Sequence, residues 1–409
     1  MNRQNHQKKV AKHRILRYIA IFILIVYHGY ILAVYSPMPF IAKWRTIYIE
    51  TAMSTMTHHW LATYFIPPKV INTVMEDNAK ADLENLVDDV TIELPWHTDI
   101  WVGHPTGLTD EQIAERSFFE TYKEIDFETL PNNLTYKDMV LTEAECEGIK
   151  TVAGDDVYLI DTVNGITVAN VHGSGYVGKI AIIKNPKQVY LAKSSKSYAG
   201  QKVLEIAQEQ NAAMAINASG FVDPNGQGNG GTPVGLVISQ GELLVPSYQG
   251  GYWFNIGFDF DDNLRVGTKV NTDELRDAVQ FKPAIIIDGE VKVSGSAGWG
   301  IQPRTVLAQT SNKEVIFLAI DGRKPGYSIG TTVGECAEIL LRYGAVQAVN
   351  LDGGASTALT YYDKTINVPC AGNRTGNGRS VPNAWVVSKS ARALELERQE
   401  QIKAEGIIE

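Results

Sequence analysis

The fold that this sequence predicts is α+β: a mixed, largely antiparallel sheet with packed helices, preceded by an N-terminal transmembrane helix. Three observations predict it. One apolar run near the N-terminus is long enough to cross a bilayer, strand-like segments outnumber helical ones after residue 150, and several of those strands adjoin through two-residue turns. The composition agrees. The chain has 409 residues, 44% of them hydrophobic, with 36 glycines and 18 tyrosines, which suits sheets and loops better than a helix bundle.

The apolar run is Tyr18 to Tyr35, YIAIFILIVYHGYILAVY, in which His28 is the single ionisable group apart from tyrosines. A helix of about 18 to 20 such residues matches the hydrocarbon thickness, and tyrosines at both ends suit the interface. Arg3, Lys8, Lys9, Lys12, Arg14 and Arg17 precede the run, while Lys43 and Arg45 closely follow. The positive-inside rule then leaves the N-terminus in the cytoplasm and exports the rest, as a single-pass protein of the cell membrane. A cleaved signal peptide would have an apolar core of about 7 to 15 residues and a small-x-small site. Val34-Tyr35-Ser36-Pro37-Met38-Pro39 offers none, so an uncleaved anchor is expected. Next, Ile41, Trp44, Tyr48, Ala52, Met56, Trp60 and Tyr64 recur at helical spacing, and Pro67-Pro68 should end that helix. Its stripe would face the bilayer, a partner helix or its own domain. His58 and His59 are adjacent and cannot share one helical face as metal ligands.

A net charge of −9 argues against a nucleic-acid partner, since the basic cluster is confined to the N-terminus. Cys146, Cys336 and Cys370 are too widely spaced for a metal knuckle or a CxxC motif and read as free or partly buried thiols. Glu84, Asp88, Asp89, Glu93 and Asp99 lack EF-hand spacing and read as a solvated face.

From Val157 onward the elements follow quickly. Val157–Ile160, Ile166–Val171, Ile180–Ile183 and Val189–Lys193 read as strands, Gln201–Gln210 as a helix, and Ala213–Ile216 as a buried strand. Val234–Ile238 and Leu243–Val245 flank Gln240-Gly241. Ala284–Ile287 and Val291–Val293 flank Asp288-Gly289, a type I′ signal. Val306–Gln309 and Val315–Ile320 follow. Thr332 with Glu335 three residues on is a capping box that opens a helix, and Gly344 ends it. Val346–Leu351 and Ala384–Val387 complete the set.

The chemistry is announced by a repeated pattern: a buried strand stops and polar and glycine residues follow at once. AMAIN, ending at Asn217, runs into Ser219-Gly220; FLAID, ending at Asp321, into Gly322-Arg323; VNLD, from Val349 to Asp352, into Gly353-Gly354-Ala355-Ser356. Arg304 enters a strand rather than leaving one. Side chains at strand tips are held stiffly while facing a cleft, and glycines beside them admit a substrate to the backbone. Each Asp-Gly taken alone is ordinarily a turn, and Asp288 reads as nothing more. The run GQGNGG over 226–231 lacks dinucleotide spacing and reads as a flexible loop or lid.

The blocks NASGFVDPNGQGNGGTPVGLVISQGEL, PRTVLAQ, FLAIDGRKPGYSIGTTVGECAEIL, AVNLDGGASTAL and VPNAWVV stand in order over about residues 177 to 388, and together this stretch resembles the phosphodiester glycosidase family, which has bacterial members linked to exopolysaccharides. The resemblance implies hydrolysis of the bond between a sugar's anomeric carbon and a bridging phosphate. It carries over Asn217, Arg304, Asp321, Arg323, Asp352, Ser356 and Asn383 as site positions. Ala355 and Thr357 stand where family members often have glycine and serine. The chain then divides into a basic cytoplasmic tail (1–17), the transmembrane helix (18–35), a juxtamembrane amphipathic helix (36–75), an acidic linker and lead-in (76–150), a catalytic domain (151–388) and a charged helical tail (389–409).

On this reading Arg304 and Arg323 grip the phosphate, since the planar guanidinium fork meets two phosphate oxygens. Asp352 works at the anomeric carbon as base or nucleophile, and Asp321 is its partner or orients Arg323. Asn217, Ser219, Asn350, Gly353, Gly354, Ser356 and Asn383 hold the sugar, an N-acetylglucosamine-like one. No cofactor is called for, although calcium or magnesium stays compatible with the carboxylates. The alternatives are a non-catalytic binder of cell-wall glycans and a metal-dependent phosphodiesterase with Asp321 and Asp352 as ligands. The expected partners are a glycan or sugar-phosphate substrate and the membrane; the sequence sets no oligomeric state.

Overall fold

The computed structural model describes residues 2–55, 58–87, 140–248, 253–370 and 376–404. Most of the acidic lead-in, with Asp88, Asp89, Glu93 and Asp99, lies outside the described residues. Helix α1, Asn2–Tyr35, contains the apolar run. Its stretch His13–Tyr35 has a mean hydropathy of 2.0 and is only 6% buried against the rest of the chain, so it is no core helix of the domain. It is long and apolar enough to cross a membrane.

The single juxtamembrane helix expected up to Phe65 is instead two, α2 (Pro39–Met53) and α3 (Trp60–Thr63). The break has a local cause. The Ser54 and Thr55 hydroxyls donate to the carbonyls of Thr51 and Ala52, competing with the backbone in the last turn of α2. Pro67-Pro68 stops α3 as expected, but Pro68 also opens α4, Pro68–Val87, where its fixed φ and missing N–H suit a first turn. The acidic stretch therefore begins as helix rather than linker. Ile49 and Ala52 of α2, Ala62 of α3, and Ile71 and Val74 of α4 form a small core of their own. The other face of the stripe, with Trp44, Tyr48, Trp60 and Tyr64, is exposed.

Beyond residue 140 three antiparallel sheets share one core. The first runs Val140–Leu141, Asp156–Asp161, Ile166–Gly173, Tyr176–Ile183, Val315–Ile320, Arg304–Thr310, Ala345–Asn350, Ala284–Ile287 and Glu290–Val291 in spatial order. The second is Leu264–Gly267, Phe254–Asp259, Leu275–Phe281, Val237–Ser239 and Glu242–Val245. The third is Lys364–Thr365, Leu359–Tyr361, Ala212–Asn217, Asn383–Ser388 and Val189–Lys193. Side chains alternate between faces, so Val315, Phe317 and Ala319 enter the shared core, while Ile316, Leu318 and Ile320 pack under the helix Val333–Arg342. Strands covered on both faces read as unbroken apolar runs, which is why VIFLAI was legible. The third sheet repeats the scheme: Trp385 and Val387 point to the shared core, Ala384 and Val386 to the helix Val203–Glu209.

Both expected hairpins form. Gln240-Gly241 and Asp288-Gly289 take positive φ at both turn residues, the type I′ geometry that matches strand twist. The strands Phe254–Asp259, Leu264–Gly267 and Leu275–Phe281, where Gly, Asn, Asp and Gln interrupt the apolar pattern, have no counterpart in the sequence reading. The helix Val333–Arg342 begins as its capping box predicts, with Thr332 Oγ1 accepting from the Glu335 N–H at 3.2 Å and the Glu335 carboxylate from the Thr332 N–H at 2.8 Å. Thr332→Ala should cost about 1 kcal/mol of unfolding free energy, read as a lower denaturant midpoint at unchanged slope.

Candidate active site

Register decides where the polar strand ends fall. Arg304 pairs with Ile320 and Val306 with Asn350, so the start of one strand and the ends of its two neighbours lie at one sheet edge. In the third sheet Ala384 pairs with Asn217, bringing Asn383 and Asn217 to the adjoining edge. Between them opens a cavity of about 340 Å³ whose walls include Arg304, Arg323, Asn350, Asp352, Gly353, Gly354 and Ser356.

The two expected arginines are held differently. Arg304 is 2% exposed and donates from Nε to the Thr331 carbonyl and from Nη2 to the carbonyls of Trp299 and Gly300, at 2.6 to 3.1 Å. These bonds leave Nη1 over. Burial pushes its pKa down to about 10, opposed by the charges of Glu335 and of Glu50 from α2. The guanidinium stays protonated at neutral pH. Arg323 is exposed and sits at φ +57, a left-handed backbone that arginine rarely adopts. Both Nε and Nη2 donate to the Gln302 side-chain oxygen, at 3.0 and 2.7 Å. The fork lies over Gly354, where a Cβ would come within 3.0 Å of Nη2 and where φ is +61. The left-handed backbone is what favours glycine here, and a side chain would also nudge the guanidinium. Ala355 is outside the left-handed region, so the backbone there does not require the family's glycine.

Asp352 lines the cavity, and burial raises its pKa to about 6, with a Ser356 hydrogen bond opposing the rise. Asn217 sits behind it. Its Nδ2 donates to the Asp352 carbonyl at 2.5 Å, and its Oδ1 accepts from Thr305 Oγ1 and the Ala358 N–H. It is fully buried and positions the carboxylate's backbone rather than meeting a ligand. Ser219 and Asn383 are likewise buried, with the Ser219 N–H and hydroxyl both donating to Asn383 Oδ1 at 2.9 Å. Asn350 does reach the cavity. Its Nδ2 donates to the Lys282 carbonyl, while its Oδ1 is buried with no partner, an acceptor waiting for a donor.

Asp321 is not among the cavity walls. Its carboxylate accepts from Tyr327 Oη, Asn367 Nδ2 and the Val368 N–H at 2.8 to 2.9 Å, and its carbonyl from Ser328 Oγ. A carboxylate so saturated fixes the loop that carries Arg323; it is placed to act neither as Asp352's partner nor as a metal ligand beside it. Among the described residues no group of three or more His, Cys, Asp or Glu side chains is arranged to hold a metal ion.

Sequence reasoning passed over the cavity's second charged pair. Arg379 donates from both Nη atoms to Asp223 at 2.7 and 3.0 Å and stacks on Phe221 at 4.6 Å. This holds the Asp223 carboxyl below its usual range. Arg379 and Asp223 also bond to Gly228, so the 226–231 segment is a tied loop rather than a free lid. Asp223 lies inside a quoted motif block and Arg379 two residues before another, both near glycines, which was the available signal. Phe221, Trp253, Phe281 and Trp299 supply an aromatic wall, the last three in ring contact at 5.8 and 6.3 Å. The three cysteines are free, and burial raises the thiols of Cys146 and Cys336 to about 11 and 12.

Fold and cavity together define an α+β domain with an arginine-rich, anion-receptive pocket around one raised carboxyl. Residues 210–388 match the family model described as phosphodiester glycosidase, and this stretch belongs to that family. The chain is 27% identical over 181 residues to the SPbeta prophage-derived uncharacterized protein YomE of Bacillus subtilis (strain 168), a match covering 41% of this chain and 27% of that relative's length. The chain therefore spans about a quarter of that relative. Among solved structures it is similar to the zebrafish N-acetylglucosamine-1-phosphodiester alpha-N-acetylglucosaminidase catalytic domain auto-inhibited by pro-peptide, at TM-score 0.45 and 16% identity, over 55% of this chain and 82% of that one. A hypothetical protein from Synechocystis matches at TM-score 0.42 and 18% identity, over 56% and 63% of the two chains.

The raised Asp352 carboxyl predicts a stability effect. In the folded chain it keeps its proton to about pH 6, whereas an unfolded aspartate loses it near pH 4, so this stabilisation drains away as pH rises through that window. Asp352→Asn should therefore stabilise the protein by about 2 kcal/mol at pH near 7.5 and change little at pH near 3.5. Denaturant titrations at both pH values check this.

Proposed function

We propose that this chain is a membrane-anchored, extracytoplasmic glycosidase that hydrolyses the bond between the anomeric carbon of an N-acetylglucosamine-like sugar and a bridging phosphate in cell-surface or exopolysaccharide glycans. The observation that carries the reading is the Asp352 carboxyl in a cavity walled by Arg304, Arg323 and Arg379. Family membership of residues 210–388 and the named activity of the zebrafish structure agree with it. The anchor and its orientation rest on α1 and the basic residues before it.

The leaving group is a phosphate ester whose last ionisation falls at a pKa of about 6, so it departs with little help from an acid. It needs its charge met, and Arg323 with the Nη1 of Arg304 meets it. Asp352 then acts at the anomeric carbon, as base toward water or as nucleophile. The C1–O bond breaks, its electrons leave with the phosphate, and water supplies the new hydroxyl. Asp223 keeps Arg379 in place and stays ionised, which leaves Asp352 as the carboxyl poised near neutrality. The aromatic wall covers the apolar sugar face, and the unpartnered Asn350 Oδ1 accepts from an N-acetyl N–H.

The test is product analysis with the full chain on a panel of sugar-1-phosphodiesters. Free sugar plus a phosphomonoester is expected; sugar-1-phosphate would mean P–O cleavage and sink the reading, as would binding without turnover. Arg323→Ala should lower kcat/KM by about 10²- to 10³-fold, the scale of a lost oxyanion donor. Activity should rise with pH through about 6 as Asp352 ionises, and Asp352→Asn should abolish turnover at every pH.

A further inference from the structure

The C-terminal end of α2 is part of the cavity. Ser54 and Thr55 line it, Ile301 N–H donates to Thr51 Oγ1 at 2.9 Å, and Gln302 Nε2 donates to the Thr51 carbonyl and Ser54 Oγ at 3.0 and 3.1 Å. Gln302 is the residue whose oxygen holds Arg323. On the far side of this contact lies a second cavity of about 250 Å³, which shares Thr55, Gln302 and Arg323 with the first. Ala52, Leu61, Ile301 and Ile329 make its walls mainly apolar. A third, of about 480 Å³, shares Tyr48 with the second and is bounded by Tyr30 and Val34 of α1, Phe40 and Trp44 of α2, and Phe65. The series leads from the candidate active site to the end of the membrane-spanning helix. The 15 residues of α2 span about 22 Å, so Ser54 lies within roughly 30 Å of the end of α1.

We propose that the bridging phosphate carries a long-chain lipid alcohol on its far side, so that the substrate is a membrane-embedded lipid-linked sugar phosphodiester. This deepens the glycosidase reading and rests on it. Arg323 stands at the boundary of the first two cavities, so a phosphate gripped there has its sugar ester in the polar, aromatic-walled cavity and its other ester facing apolar walls. A second sugar would be poorly matched to Leu61, Ile301 and Ile329; a hydrocarbon chain fits them and continues along α2 to the groove beside α1, with its end in the bilayer. The aromatic rings at that groove suit the membrane interface.

The experiment compares two esters of the same sugar-1-phosphate, a methyl ester and a long polyprenyl ester, with the full chain in detergent micelles. The long-chain ester should show at least ~10-fold higher kcat/KM, the scale of a net gain over the micelle equal to one or two buried methylenes. Phe40→Ser with Trp44→Ser changes side chains that are 72% and 50% exposed, outside the catalytic cavity, and should erase that preference while leaving methyl-ester turnover unchanged. Equal turnover of the two esters by the parent protein overturns the proposal. So does a preference that survives in the double variant, because it then reflects partition into micelles with the groove filled by bulk lipid. Failure to hydrolyse either ester overturns the glycosidase reading itself and this inference with it, a result distinct from methyl-ester turnover without a tail preference.

Discussion

Strand Arg304–Thr310 is hydrogen-bonded on both sides, to Val315–Ile320 and to Ala345–Asn350, and all three strands are buried on both faces. A register slip of one residue would turn every side chain of the strand to the opposite core, so the pairing has little freedom. Because the neighbours run antiparallel to the central strand, its beginning and their endings share an edge. Arg304, Asp321 and the Asn350–Asp352 segment are therefore delivered to one rim by the demands of apolar burial. Polar chemistry occupies the place where burial stops.

Within that rim the charged groups divide by how much freedom they keep. Arg304 spends three bonds on backbone carbonyls and binds the 299–300 turn to the residue ahead of a helix cap. Asp321 and Asn217 are equally committed, one to a loop and the other to the chain at Asp352. Asp352, Asn350 Oδ1 and the outer part of Arg323 retain capacity for something brought from outside. This separation, a rigid buried set behind a receptive set, is how a site holds geometry while exposing charge.

Much of this was legible in the sequence because the long strands are apolar on both faces and end in Asn, Asp or Arg beside glycine. VIFLAI, AMAIN and the capped helix after Thr332 follow local rules, and their motif blocks are contiguous. What escaped is relational. Asp223 and Arg379 are far apart in the chain, and neither looks unusual until the fold pairs them. The strand FNIGFD was passed over because its Asn and Gly break the apolar pattern. The juxtamembrane helix was drawn too long because two hydroxyls, at Ser54 and Thr55, end it through side-chain bonds that periodicity does not register. Asp321 looked catalytic because a strand-tip aspartate before glycine has the same signature whether its oxygens are free or already taken.

Gly300 shows how closely α2 and the sheet domain are joined. Its φ is +58, and a Cβ there would sit 2.4 Å from the backbone nitrogen of Thr51. Any fragment begun after α2 would expose this bare backbone seam to water. It would also free the Gln302 side chain and with it the hold on Arg323. In this architecture the end of α2 is one wall of the candidate site, and trimming it away leaves that wall open.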